Sequence, residues 1–258
     1  MINRYLMIDK KVMNLDGLPL DALPVIRDFS DDVIASAGHD LESIVLSGSI
    51  ITQDYIPGIS DINPVIVMKK LGQDFLDSLA GFGKKYGRKK VRAPLVITNE
   101  YLERSIDVFP IEFLELKLIH KTIYGSEIFS GISIEKPMIR IQCERELKAR
   151  LIQLSRGYIS ASGDKELLLG LIIQSSLGFY PLLRAILFMG GYIVPVDRSS
   201  VLSAIESHCR VSLDCMKQIQ TIRSQKKPSL KSEEIRLLFK KLYDLTHELS
   251  LIVDETSC

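Results

Sequence analysis

The apolar spacing changes character near residue 140, and that change constrains the fold most. Before it, short β-branched runs alternate with segments in which apolar residues recur every three to four positions. After it, the helical period persists to the end of the chain. "LESIVLSG", "NPVIVM" and "APLVIT" are apolar, four to eight residues long and bounded by turn residues, so they read as buried strands. "SIDVFPIEFLELK" is a further strand candidate, partly extended and partly helical. "LPLDALPVIRDFSDDVIASAGHD" and "QDFLDSLAGFGKKYGRKK" have helical spacing; Ser30-Asp31-Asp32 offers a cap inside the first, and glycine and lysine end the second. Beyond residue 140, Ile141, Leu147, Leu151 and Leu154 share one helical face. Further helices are predicted at about 165–179, 181–190, 199–223 and 231–253, with turns at Ser162-Gly163, Gly190-Gly191 and "QKKPS". The expectation is an α+β protein: a mixed sheet with flanking helices over 1–140, then an antiparallel helical bundle over 141–258.

With 258 residues and 46% hydrophobic content, the chain can bury a large core. Thirty-three basic and 32 acidic residues give no global attraction to nucleic acid or an anionic membrane, so an anion site must be local. Cys143, Cys209, Cys215 and Cys258 show no zinc-ligand spacing, and reduced thiols in a cytoplasmic protein are the reading. "MINRYLMIDKKVMN" lacks the basic head and apolar run of a signal peptide. "ELLLGLIIQSSLGFYPLLRAILFMGGYIV" is apolar, but Gln174, Ser175, Ser176, Pro181 and Arg184 interrupt it. A buried helix pair joined near Tyr180-Pro181 is expected, not a membrane span.

One local constellation carries chemistry. "LSG" ends a strand in Gly48-Ser49, where glycine lets the backbone turn tightly and approach a ligand. If a helix starts there, its amides and the Ser49 hydroxyl face an incoming phosphate. "SDIN" follows, and Asp61 and Asn63 are two residues apart, so on a strand their side chains share a face. Two oxygens on one face beside a phosphate cradle make a shelf for magnesium, which takes hard oxygen ligands.

"GSIITQDYIPGISDIN" resembles the signature of the polymerase-beta-like nucleotidyltransferase superfamily: strand, Gly-Ser, about a dozen residues, then Asp-x-Asp opening a second strand. "TIYGSEIF" resembles the segment that follows the third-acid strand in aminoglycoside-type and minimal nucleotidyltransferases. The resemblance implies a nucleoside triphosphate substrate with Mg2+ or Mn2+, transfer of a nucleoside monophosphate to an unidentified acceptor hydroxyl, and release of pyrophosphate. It places Gly48 and Ser49 on the triphosphate, and Asp61, Asn63 and a third acid on metal. Glu112 is preferred for that acid, which would also serve as general base; Asp107 and Glu115 remain alternatives.

Asn63 departs from the pattern, because an amide brings no negative charge to a dication. The loss amounts to a few kcal/mol, on the order expected at an effective dielectric near 20, or roughly a hundredfold in metal affinity. A catalytically impaired nucleotide-binding or regulatory module is therefore the alternative reading. Pro64 removes an amide donor and suits a first strand position or an edge.

The basic run "KKYGRKKVR" could attract a triphosphate or an RNA backbone, but its single aromatic, Tyr86, offers no stacking platform, so nucleic acid is not expected. His39, His120, His208 and His247 lack catalytic spacing and read as surface or capping residues. The bundle suits one wall of an acceptor cleft or a homo-oligomer interface.

Overall fold

A computed structural model describes residues 13–225 and 230–256. The amino-terminal stretch read against a signal peptide, most of the "QKKPS" turn and Cys258 lie outside those residues. The described chain divides into two compact units. One comprises the residues up to Ser105 together with Leu116–Ile132; the other comprises Ile106–Glu115 together with the residues from Ser133 onward.

The first unit is built on a four-stranded sheet of order β3-β2-β1-β4, with β1 Leu41–Ser47, β2 Asn63–Met68, β3 Leu95–Thr98 and β4 His120–Gly125. β1 is antiparallel to both β2 and β4, while β2 and β3 are parallel. Helices α1 (Leu23–Ala37) and α2 (Gln73–Tyr86) cover one face, so Ile26, Phe29, Val33, Ile44, Leu46, Ile66, Met68 and Tyr86 form a core with Ile62 and Ile123. The β-branched strands alternate between this core and the opposite face, as the pleat requires.

Helix α1 runs unbroken through Ser30-Asp31-Asp32, the residues expected to cap a helix. Asp32 is occupied elsewhere: it accepts from Lys85 Nζ at 2.6 Å and from the Tyr86 hydroxyl at 2.5 Å. Lys89 pairs with Asp28 at 3.6 Å. Two of the basic run's cations thus tie α2 and the turn after it to α1.

Two expectations require correction here. "SIDVFPIEFLELK" forms no strand; after α3 (Asn99–Ser105) and a turn comes helix α4 (Pro110–Leu118), since proline at a first helical position is already preset for the helix. The fourth strand is instead "HKTIYG". Its closing glycine is dictated by packing: at φ +85° Gly125 lies so close to β1 that a β-carbon would stand 2.0 Å from the Glu42 carbonyl oxygen. Pro64 sits on an interior strand, not an edge. The β2–β3 ladder pauses there, however, between the Ile62–Val91 bridge and the Val65–Leu95 pair. Asn63-Pro64 therefore faces the longer Arg92-Ala93-Pro94, and neither proline is asked for a ladder donor.

The second unit contains helices α5 (Lys136–Ala161), α6 (Lys165–Leu177), α7 (Phe179–Met189), α8 (Arg198–Cys209), α9 (Asp214–Ser224) and α10 (Ser232–Glu255). Helix α5 packs on α6, α7 and α10. The segment expected as one helix over 199–223 is two, because Arg210 turns into the left-handed region at φ +57°. The run Lys165–Met189 is long and apolar enough to cross a membrane by composition alone. It is broken at Gly178 into α6 and α7, and Pro181 falls in the first turn of α7, where a missing amide is tolerated. Arg184 in α7 is buried and donates through Nη1 to Glu115 Oε1 and Oε2 at 3.0 and 2.9 Å. Desolvation pushes the Glu115 carboxyl above its usual range, against the pull of Arg184.

Candidate functional site

Gly48 leaves β1 at φ +78°, a left-handed conformation that a side chain disfavours. The helix that starts there is a single 3-10 turn, Gly48–Ile51. Four residues are too short for the aligned amides of a helix terminus, so the expected helix-end phosphate site is a tight backbone turn instead. Thr52 closes it, donating to the Ser49 carbonyl oxygen from its amide at 3.0 Å and its hydroxyl at 3.3 Å. A β-carbon on Gly48 would stand 3.1 Å from Asn63 Nδ2. The turn and the first residue of β2 therefore meet.

Register sets the rest. Ser47 pairs with Asn63 on one side and with His120 on the other, so these three residues form a row across β2, β1 and β4 on one face. Ser47 Oγ donates to the Asn63 carbonyl oxygen at 3.3 Å. Ile62 points into the core, which leaves Asp61 and Asn63 together on the opposite face, about 7 Å apart by strand rise. Both are partly exposed.

Asp61 has a partner that the sequence did not reveal. Arg92 Nε donates to Asp61 Oδ2 at 2.9 Å. Lys90 positions Arg92 for this contact: at φ +67° it turns the chain back after α2, and Ile62 exchanges backbone hydrogen bonds with Lys90 and Arg92 at 2.8 and 2.9 Å. The uneven stretch between β2 and β3 then aims Arg92 across at Asp61. Such local ladder disruptions commonly re-aim a side chain. The Arg92 side chain is 68% exposed and that of Asp61 31%, so the pair itself contributes under about 1 kcal/mol to stability.

His120, read as a bland residue, is the second omission. Its Nε2 lies 2.7 Å from Glu127 Oε1, and its ring is only 10% exposed. Glu127 also accepts from Thr122 Oγ1 and from the amides of Phe129 and Ser130. Burial raises the Glu127 carboxyl, but the bonds from Thr122, Ser130 and His120 outweigh it and hold it below its usual range. Nδ1 of His120 is buried without a hydrogen-bond partner. Seven residues separate His120 from Glu127, and only the turn after Gly125 brings them together.

The third-acid candidates lie in the second unit. Glu112 is on α4, not on a strand, and accepts from Gln142 Nε2 at 2.8 Å, while Gln142 Oε1 receives the Ile111 amide at 2.9 Å. Glu115 is taken by Arg184, and Asp107 lies in the exposed turn before α4. Among the described residues, no three His, Cys, Asp or Glu side chains gather as a metal-holding group. A resident magnesium ion needs carboxylate charge. Here the strand end offers the Asp61 carboxylate, already paired with a guanidinium, and the neutral Asn63 amide. Asp61 and Asn63 as they stand do not fit that ion. The depression lined by Tyr158, Ile159, Ser162, Leu168 and Arg236 in the second unit includes none of the expected site residues.

Cys209 and Cys215 form no disulfide; desolvation pushes the Cys215 thiol up to about 11, so it is an inert core residue.

No family model matches the chain, and no curated protein matches it. Among solved structures, it is similar to the spectinomycin adenyltransferase AAD(9) from Enterococcus faecialis, solved with ATP and spectinomycin. The similarity has a TM-score of 0.53 at 14% identity and covers 87% of this chain and 99% of that one. Likeness at that identity speaks for the fold alone: the chain has an α+β nucleotidyltransferase-like fold, with a mixed sheet carrying the Gly-Ser turn and a helical carboxy-terminal region.

Proposed function

We propose that this chain is a nucleotide-binding protein on a nucleotidyltransferase-like fold, with the triphosphate received at the Gly48-Ser49 turn. One observation carries the reading: the positive-φ turn leaves β1 directly against Asn63, on the strand end where Asp61 holds Arg92. Backbone can approach a phosphate there without a side chain in the way. A guanidinium lies on the same strand end, and Arg is suited to phosphate by its planar fork of donors. The structural neighbour was solved with ATP, which supports a nucleotide as ligand.

In this reading Ser49 and the turn amides contact phosphate, Asp61 orients Arg92, and Asn63 braces the turn. The test is calorimetry of the full chain with ATP, GTP, CTP and UTP, with and without divalent ions. Saturable binding that Gly48→Val abolishes without unfolding the chain supports it; no binding of any nucleotide overturns it.

A second reading is transfer of a nucleoside monophosphate to an acceptor hydroxyl. It is favoured by the adenyltransferase neighbour, which was solved with ATP and spectinomycin. Radiolabelled ATP incubated with a panel of hydroxyl acceptors and Mg2+ or Mn2+ separates the readings. Label in acceptor establishes transfer; binding without turnover leaves the chain a nucleotide-binding module.

A further inference from the structure

The mismatch between this site and a resident dication has its own consequence. We propose that Arg92 takes the place of the divalent cation, so that the site binds a nucleotide's phosphates without a metal ion; this rests on the nucleotide-binding reading above.

Charge accounting comes first. In a site with three carboxylates, a polyphosphate meets like charge, and a metal ion must offset the repulsion before the ligand can enter. Here Asn63 contributes no charge, and the Asp61 carboxylate is paired with Arg92 at 2.9 Å. The strand end is electrically balanced before any ligand arrives, which removes the need for an added cation.

Geometry comes second. The Arg92 backbone is fixed by its amide bond to the Ile62 carbonyl oxygen at 2.9 Å, and the preceding Lys90 carbonyl oxygen accepts the Ile62 amide at 2.8 Å. Its Cα therefore keeps a set position beside Asp61. A guanidinium has five N–H donors, and the Asp61 contact engages Nε. The Nη donors remain for two phosphate oxygens, a match that a hydrated lysine ammonium does not reproduce.

The other cations of the segment differ. Lys85 and Lys89 pair with Asp32 and Asp28 of α1, and both lie over the Tyr86 ring. They brace the helices, whereas Arg92 points at the strand end carrying Asp61. The basic run is thus divided between a structural and a ligand-facing part, a division that depends on the left-handed turn at Lys90.

The experiment is calorimetric titration of the full chain with ATP and with inorganic tripolyphosphate, in EDTA and in Mg2+, for the wild type, Arg92→Ala, Arg92→Lys and Lys89→Ala. Circular dichroism checks that each variant folds. The expected result is wild-type binding of both ligands in EDTA, within about threefold of the affinity in Mg2+. Loss of charge-assisted bonds should weaken Arg92→Ala by roughly tenfold to a hundredfold. Arg92→Lys should fall between, and Lys89→Ala should match the wild type. Binding that appears only with Mg2+, or an Arg92→Ala variant as tight as wild type, overturns the inference while leaving nucleotide binding intact. An equal loss in Lys89→Ala also overturns it, since general surface charge would then be responsible. No binding under any condition removes both readings.

Discussion

A β-carbon at Gly48 would lie 3.1 Å from Asn63 Nδ2, and Gly48 already sits at φ +78°. The Gly48 turn and the first residue of β2 thus constrain each other. Gly48→Ala should destabilise the first unit by about 1–2 kcal/mol, the usual penalty for a side chain in the left-handed region, with a further loss from the displaced Asn63 amide. Urea denaturation followed by circular dichroism measures it, and an unchanged midpoint would contradict the packing described.

Asn63→Asp tests the missing charge. It places a second carboxylate about 7 Å along the strand from Asp61. Alone, the new charge should compete for Arg92 and bring little metal affinity. Combined with Arg92→Ala, it should create a divalent-ion response, seen as a melting-temperature rise with millimolar Mn2+ that the wild type lacks. A wild-type rise of the same size would show that the native residues already hold the ion.

The Arg184–Glu115 pair sits inside the second unit. Arg184→Met leaves the Glu115 carboxylate buried without its partner and should destabilise that unit by about 3–5 kcal/mol. Removing both charges in Arg184→Met/Glu115→Leu should recover most of the loss, because a desolvated charge is then no longer left behind. Thermal melts of the two variants decide this; equal destabilisation would mean that the carbonyl oxygens of Pro195 and Val196, which also accept from Arg184, dominate.

Acid should reach the raised Glu115 carboxyl of the second unit before the lowered carboxyls of the first. Hydrogen bonds from Lys85 and Tyr86 hold the Asp32 carboxyl below its usual range, and Glu127 is lowered as well. Groups with depressed folded values stabilise fully above the unfolded value near 4, and that contribution disappears as pH falls through the folded value. Asp32→Asn should therefore flatten the stability profile below about pH 4 and lower stability at neutral pH. Denaturation midpoints from pH 2.5 to 7 provide the check.

Glu127→Gln should loosen the β4 turn, costing about 1–3 kcal/mol through weakened bonds to Thr122, His120 and two amides. The His120 ring resonances would shift with it in nuclear magnetic resonance spectra; unchanged resonances would detach the ring from Glu127.

Much of the architecture is written locally. "LESIVLS", "NPVIVM" and "LVIT" are strands because short β-branched runs between turn residues have few other options, and the long amphipathic segments from Lys136 onward are helices for the same kind of reason. Gly48 and Asn63 could be placed together only through the resemblance of "GSIITQDYIPGISDIN" to a known signature. The segment around Glu112 is helical and not extended: an apolar run containing Ile111, Phe113, Leu114 and Leu116 fits a strand or a buried helix, and Pro110 at its start tips it to helix.

Local chemistry thus determined the strands, the carboxy-terminal helices, the turn glycine at position 48 and the uncharged amide at position 63. Tertiary structure alone decided which charges meet: Arg92 with Asp61, Lys85 with Asp32, Arg184 with Glu115 and Glu127 with His120. The physical reason is range. Periodicity and turn propensity are set by neighbours within a few residues, whereas an ion pair depends on register and on a left-handed turn such as Lys90, which join positions 31 to 69 residues apart in all but the His120–Glu127 case.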